Sequence, residues 1–480
     1  MAIRLKQQGH SDFIVLERGS SVGGTWRDNT YPGCACDIPS HLYSLSFAPN
    51  PGWSNSFSTQ PEIWAYLKRV AEESGVLDHT RFNCEVTDAR WNESVKRWIL
   101  QTATGEIRCQ VLVAGIGGLI TPRLPAVPGL EDFEGEVFHS ARWNHDYDLE
   151  GKRVAAIGTG ASAIQFVPKI QPEVEQLHLF QRTPAWLVPR DSHPFSSTRR
   201  RLYARFPALA RLHRRALYWS HEALILGYAK QPKLMRIPQA VGERHLRSQI
   251  NDPELRRKLT PDYTFGCKRA LVSNDFYPAV AQDNVELLTE GLAEVRGNRV
   301  FGSQGTEREV DAIILGTGFE TSNFPGAAIL HGRDGRNLTE TWDGAPIAHR
   351  TTTMTGFPNL FILGGPNFGT GHMSVVEIFE HQYAYILDAL EKMDRDAIAS
   401  VDAREDAMVR FNEEVDRKMA RTVWMKGGCQ SYYIDRSGRN SSLWPDWTFE
   451  HARMTKTFDL SEYDVERVEA GHQAPEQVFA

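Results

Sequence analysis

Short apolar runs that end in glycine set the pattern of this chain. The run Val154-Ala155-Ala156-Ile157 has the continuity of a strand buried on both faces, and Gly158-Thr159-Gly160-Ala161-Ser162-Ala163 follows it at once. From Ser162 the apolar positions switch to helical spacing at Ile164, Phe166, Val167 and Ile170. The pattern therefore predicts strand, glycine turn and helix in direct succession. A further strand is predicted over Gln176-Leu177-His178-Leu179-Phe180-Gln181-Arg182. At the N-terminus, residues 1–9 read as a helix ending in glycine and 12–16 as a buried strand with Glu17-Arg18 at its tip. Two more apolar strands end in glycines, Val111-Leu112-Val113-Ala114-Gly115-Ile116-Gly117 and Ala312-Ile313-Ile314-Leu315-Gly316-Thr317-Gly318.

The Gly-x-Gly-x-x-Ala turn carries chemistry. Without side chains at Gly158 and Gly160, backbone and pyrophosphate can approach closely, and the N-terminus opened by Ser162 and Ala163 supplies unpaired N–H groups and a favourable dipole. The tip of the next strand selects the nucleotide. An acid there would hold a ribose hydroxyl, whereas Gln181-Arg182-Thr183 offers a cation to a 2′-phosphate and so favours NADP. A solvated arginine at a strand end is the alternative. Glu17 at the first strand tip predicts a ribose contact in a second nucleotide unit. A ribose-binding acid lies about twenty residues after its glycine loop, which places that loop before Met1 and the start of the chain inside the first helix. The predicted fold class is α/β, with two Rossmann-like dinucleotide-binding domains and a helical insertion. Residues 1–143 and 310–480 are expected to form a discontinuous first domain around a second at 144–309, with the insertion near 193–262. The glycine-ended strands mark the crossings between the domains.

Composition adds bounds. The chain has 480 residues, 41% hydrophobic and 24% charged, enough for two or three domains with sizeable cores. A net charge of −6 leaves no nucleic-acid footprint. Six scattered cysteines predict no disulfide framework and a reducing cytoplasm, and Cys34-x-Cys36 lacks the second pair a metal site needs. The longest apolar helix candidate, 216–229, is too short to span a bilayer and carries His221 and Glu222. Upstream, Arg199, Arg200, Arg201, Arg205, Arg211, Arg214 and Arg215 interleave with Leu202, Tyr203, Phe206, Leu209, Leu212 and Leu217. That pattern predicts a solvated face over a core-packing face, with a membrane-surface helix as the alternative.

A second signature precedes the glycine turn: Phe133-x-Gly135-x-x-x-His139-x-x-x-Trp143-Asn144. With Val22-Gly23-Gly24-Thr25-Trp26, Tyr31-Pro32-Gly33, Cys36-Asp37-Ile38-Pro39, Lys268-Arg269, Gly316-Thr317-Gly318-Phe319, Gly365-Pro366-Asn367 and Trp444-Pro445, it makes nearly the whole chain resemble the class B flavoprotein monooxygenases. Trp143 resembles the Baeyer–Villiger branch, and the later motifs look most like the subgroup of 4-hydroxyacetophenone monooxygenase. Asn144 departs from the Pro or Asp common at that place.

The resemblance implies FAD in the first domain and NADP in the second. It implies oxygen insertion into a ketone, giving an ester or lactone, by a C4a-peroxyflavin formed from O2 after NADPH reduces the flavin. It assigns catalysis to Arg269, as the fixed cation beside the reacting oxygen, with Asp37 positioning it; a structural ion pair is the plain alternative. Cofactor contacts fall on Glu17, Gly24, Thr25, Trp26, Asp37, Gly316, Thr317, Gly318 and Trp444, with Lys268 joining Arg182 at the 2′-phosphate. Ser374 opens a helix over 375–382 whose N-terminus would face the flavin, and His139 and Trp143 read as a hinge. N- or S-oxygenation and a non-catalytic NADP-binding protein are the alternatives. The expected partners are O2 and a small ketone or heteroatom substrate.

Overall fold

In the computed structural model, which describes residues 1–321 and 325–468, the second unit is built on a parallel sheet of five strands. Their order is Val285–Leu288, Gln176–Phe180, Arg153–Ile157, Ala312–Leu315 and Glu136–His139. Side-chain alternation explains why the inner strands are wholly apolar. Val154 and Ala156 pack on the helix Ala163–Ile170, while Ala155 and Ile157 turn to the other face against Val295, Val300 and Val310. The antiparallel strands Leu292–Arg296, Arg299–Gly302 and Glu307–Glu309 bring Val295 and Val300 to that second face.

Two strands widen this unit beyond the expected 144–309. Ala312–Leu315 is hydrogen-bonded on one side to Arg153–Ile157 and on the other to Glu136–His139. Its register therefore places both flanking segments in the sheet of the second unit.

The first unit is assembled from distant segments. Val15–Leu16 pairs with Thr80–Arg81, Leu112–Ala114 with Leu360–Ile362, and Val86–Asn92 with Arg97–Thr102 and Leu330–His331. The strand expected over 12–16 shrinks to Val15–Leu16, and the one over 111–117 to Leu112–Ala114. The helix expected over 375–382 continues to Arg395, burying Ile378, Tyr385, Ile386, Leu390 and Met393 at helical spacing.

The insertion is helical as expected, with Ser197–Arg205, Pro207–Glu222, Arg236–Gln249 and Pro253–Leu259. The apolar run 216–229 is not one helix. It stops at Glu222, whose buried carboxylate accepts hydrogen bonds from the Thr448 N–H and Oγ1, and resumes as a wide turn at Leu226–Lys230. One cysteine pair departs from expectation: Cys267 and Cys429, 162 residues apart, form a disulfide. That separation hid the pair in the sequence.

Candidate active site

The glycine turn of the second unit has the form its sequence requires. Gly158 sits at φ +102°, and a Cβ there would meet the Gly316 carbonyl oxygen at 2.7 Å, so only glycine fits. At Gly160 the same test meets nothing within 4 Å, leaving open space in front of the helix N-terminus. Ser162 stands at the cap position with its side chain making no hydrogen bond to the helix N–H groups, and Ala163 is fully buried. An anion fits this cradle, since those N–H groups have no side-chain cap.

Beyond the next strand, Arg182 is exposed and Thr183 accepts a hydrogen bond from Thr159 Oγ1 at 3.5 Å. Lys268 lies close enough to Arg182 to be affected by its charge. Burial and then repulsion from Arg182 push the Lys268 ammonium below its usual range, with Asp262 opposing. Two cations brought together in this way make a site that a phosphate would relieve.

The catalytic pair expected from sequence is assembled. Arg269 Nε and Nη2 donate to Asp37 Oδ2 and Oδ1 at 2.7 and 2.6 Å, a two-pronged contact across 232 residues. The Asp37 carboxylate holds the guanidinium well above even its ordinary range, against the effect of burial. Arg269 remains 33% exposed at the side chain, so the pair is open on one side. A loop turned by Gly266 (φ +86°) presents it, and a Cβ there would run into Met235 and Tyr228. Tyr228 stacks on Trp424 with ring centroids 5.5 Å apart. The Cys267–Cys429 bond ties the same loop to the segment after Trp424.

Sequence reading missed what holds Asp37 in place. Gln165, on the helix after the glycine turn, accepts from Tyr31 Oη and Ala35 N–H and donates to the Ala35 carbonyl, at 3.0, 3.2 and 3.0 Å. Gly33 lets the chain touch that helix, since a Cβ would lie 2.6 Å from the Gln165 carbonyl oxygen. Arg190 adds a hydrogen bond to the Cys36 carbonyl at 3.0 Å. Nothing in the spacing of a glutamine on an amphipathic helix signals such a clamp. His372 was also missed. It is buried before the helix Val375–Arg395, its Nε2 3.4 Å from the buried Glu222 carboxylate and its Nδ1 without a hydrogen-bond partner.

The remaining expected residues divide. Glu17 accepts from the Gly19 N–H at 2.6 Å and from Arg27 at 3.0 Å. Gly24, at φ +47°, opens the short helix Thr25–Asp28 and leaves space beside itself. Trp26 donates to Tyr43 Oη at 3.0 Å and packs between two cores. Thr317 donates to the Arg123 carbonyl and Gly318 accepts from the Arg123 N–H, so these residues knit the two crossings together. His139 belongs to that crossing. Its Nδ1 accepts from the Ala141 N–H, and burial pushes its pKa down to about 4, so it is neutral at pH 7. Trp143 packs on Phe138 and Phe166. Trp444 is buried. Its main-chain N–H bonds the Gly369 carbonyl, but its indole lies edge-on to His451 and lines a separate cavity of about 390 Å³ with His349, Arg350 and Phe411.

A family model described as flavin-binding monooxygenase-like matches residues 15–328. The chain belongs to this family. Among its relatives, a Baeyer–Villiger monooxygenase of Pseudomonas aeruginosa is 49% identical over 465 residues, covering 96% of this chain and 88% of that protein. Another, from Streptomyces coelicolor, is 48% identical over 480 residues, covering 100% of this chain and 92% of its own. The solved structure of OTEMO in complex with FAD and NADP superposes with a TM-score of 0.85 at 26% identity, covering 97% of this chain and 96% of that one. The two Rossmann-like domains and the helical insertion of this family member are thus those of its neighbours, and among its described residues no helix is long and apolar enough to cross a membrane.

Proposed function

We propose that this chain is an FAD- and NADPH-dependent monooxygenase that inserts one atom of O2 into a ketone, giving an ester or lactone. The observation that carries the reading is the Arg269–Asp37 pair, held half-buried between the two units by the Gln165 clamp. When bound, the reduced flavin supplies the activated oxygen. Arg269 keeps its charge at any working pH and stabilises negative charge on the reacting oxygens. Asp37 fixes the plane of the guanidinium, so little reorganisation is needed as charge develops. His139, neutral and enclosed in the domain crossing, serves as part of the hinge in this reading.

The residues fit both cofactors. The open space at Gly160 and the Arg182–Lys268 couple suit a pyrophosphate and a 2′-phosphate. Glu17 at its strand tip, the space beside Gly24 and the N-terminus of Val375–Arg395 suit FAD. The relatives favour this reading over N- or S-oxygenation and over a non-catalytic NADP-binding protein. A cytoplasmic location, where NADPH is supplied, is part of the proposal.

The test is product analysis with a phenyl ketone and an aryl thioether, for the wild type and Arg269→Ala. Ester from the ketone, lost in the variant while NADPH still reduces the bound flavin, is the expected result. Sulfoxide without ester in the wild type would overturn the reading.

A further inference from the structure

The helical insertion exposes large apolar residues on two of its helices, none of them among the residues named for either cofactor. In the helix Pro207–Glu222, Leu209, Leu212, Ala216 and Trp219 are all exposed and lie three or four residues apart, on one face. The helix Arg236–Gln249 repeats the arrangement with Ile237 and Val241, and Leu234 stands one turn before. Leu224 and Leu226 are exposed on the connection between the two helices. The exposures, 65% at Leu212, 51% at Trp219 and 68% at Ile237, put large apolar side chains in water. The sequence predicted that Leu202, Phe206, Leu209 and Leu212 would face the core; all four are exposed instead.

Charge says what this face meets. Residues 197–249 hold ten arginines and two lysines against two acids, Glu222 and Glu243, in a chain whose net charge is −6. Glu222 is buried against Thr448 and offers the surface nothing. Arg205, Arg211, Arg215, Lys233 and Arg236 are exposed, and among the described residues they pair with no carboxylate.

We propose that this face docks the protein on an anionic lipid bilayer. Apolar stripes flanked by cations settle in the headgroup region, with the leucines and tryptophan in the acyl boundary and the arginines among lipid phosphates. Two copies of so cationic a face would repel one another, which argues against a symmetric self-interface. With no helix among the described residues fit to span the bilayer, the contact is peripheral. The proposal goes beyond the oxygenation reading and does not depend on it.

The experiment is flotation of the full FAD-loaded chain with vesicles of phosphatidylcholine, alone or mixed with phosphatidylglycerol. Binding to the mixed vesicles is expected to be at least about tenfold tighter than to phosphatidylcholine alone and to weaken as salt is raised. The double variant L212E/I237E should bind the mixed vesicles at least about tenfold more weakly, with unchanged melting temperature and NADPH oxidation. Failure to float with the mixed vesicles, or full flotation of the double variant, would overturn the proposal. So would light scattering that shows a dimer of the wild type and a monomer of L212E/I237E, because the face would then be a self-interface.

Discussion

Arg269 owes its use to a charge that no neighbour can remove, and to Asp37, which grips two of its nitrogens. A lysine would keep the charge but lose the planar, two-pronged grip. Arg269→Ala is therefore expected to lower the rate of ester formation by about 10²–10³-fold, and Arg269→Lys to recover little of it, with flavin reduction by NADPH nearly intact in both. Stopped-flow reduction measured beside product yield separates the two steps, and loss of both together would count against this role. On the proposed function, Arg182 would set the preference for NADPH over NADH. Its removal should raise the KM for NADPH by about tenfold or more and leave that for NADH little changed, a split that mere misfolding would not produce. Both cations were legible in the sequence, one from a strand tip about twenty residues past a glycine turn and one from resemblance. Their partners, Asp37 and Lys268, lie more than eighty residues away along the chain and were named by the same resemblance, but the two-pronged contact itself was not legible.

At the scale of elements, two ties hold the arginine loop and the aspartate segment to their neighbours. Gln165 joins the helix after the glycine turn to the strip carrying Asp37. Gln165→Leu leaves the Ala35 N–H and carbonyl without those partners, so a loss of about 1–3 kcal/mol is expected by chemical denaturation, together with slower ester formation. The second tie is Cys267–Cys429. Replacing both cysteines by serine should cost about 2–4 kcal/mol, measured under oxidising conditions, and the loss should vanish when the wild type is assayed with a strong thiol reductant. Equal stability of wild type and variant without reductant would show that the bond is not formed in solution. Secondary structure near these ties followed the apolar pattern where side chains alternate between two packed faces, as in Arg153–Ile157. It failed where burial is partial, as in Val15–Leu16, or where a buried polar group ends a helix, as at Glu222.

For the whole molecule, buried histidines set an acid limit. Burial lowers His139 to about 4, and burial, with the charges of His213 and Arg199, lowers His41 to about 3, both from an ordinary value near 6.5. A lowered histidine stabilises the fold fully above its unfolded value and loses that contribution as pH falls through its folded one. Stability should therefore drop between about pH 6.5 and 4 by about 1.4 kcal/mol per pH unit for each histidine. His139→Asn should flatten the dependence by one histidine's share, and an unchanged slope would contradict the burial argument. The sequence by itself determined the α/β class, the glycine turn and its nucleotide, the candidate arginine and the absence of an apolar run long enough to span a bilayer, because each is written in residues close together along the chain. Only the tertiary structure decided that Gln165 bonds Tyr31 and Ala35, that Cys267 meets Cys429 and that the leucines of the insertion face outward. Those depend on which surfaces remain uncovered once distant segments have packed, and local periodicity does not record that.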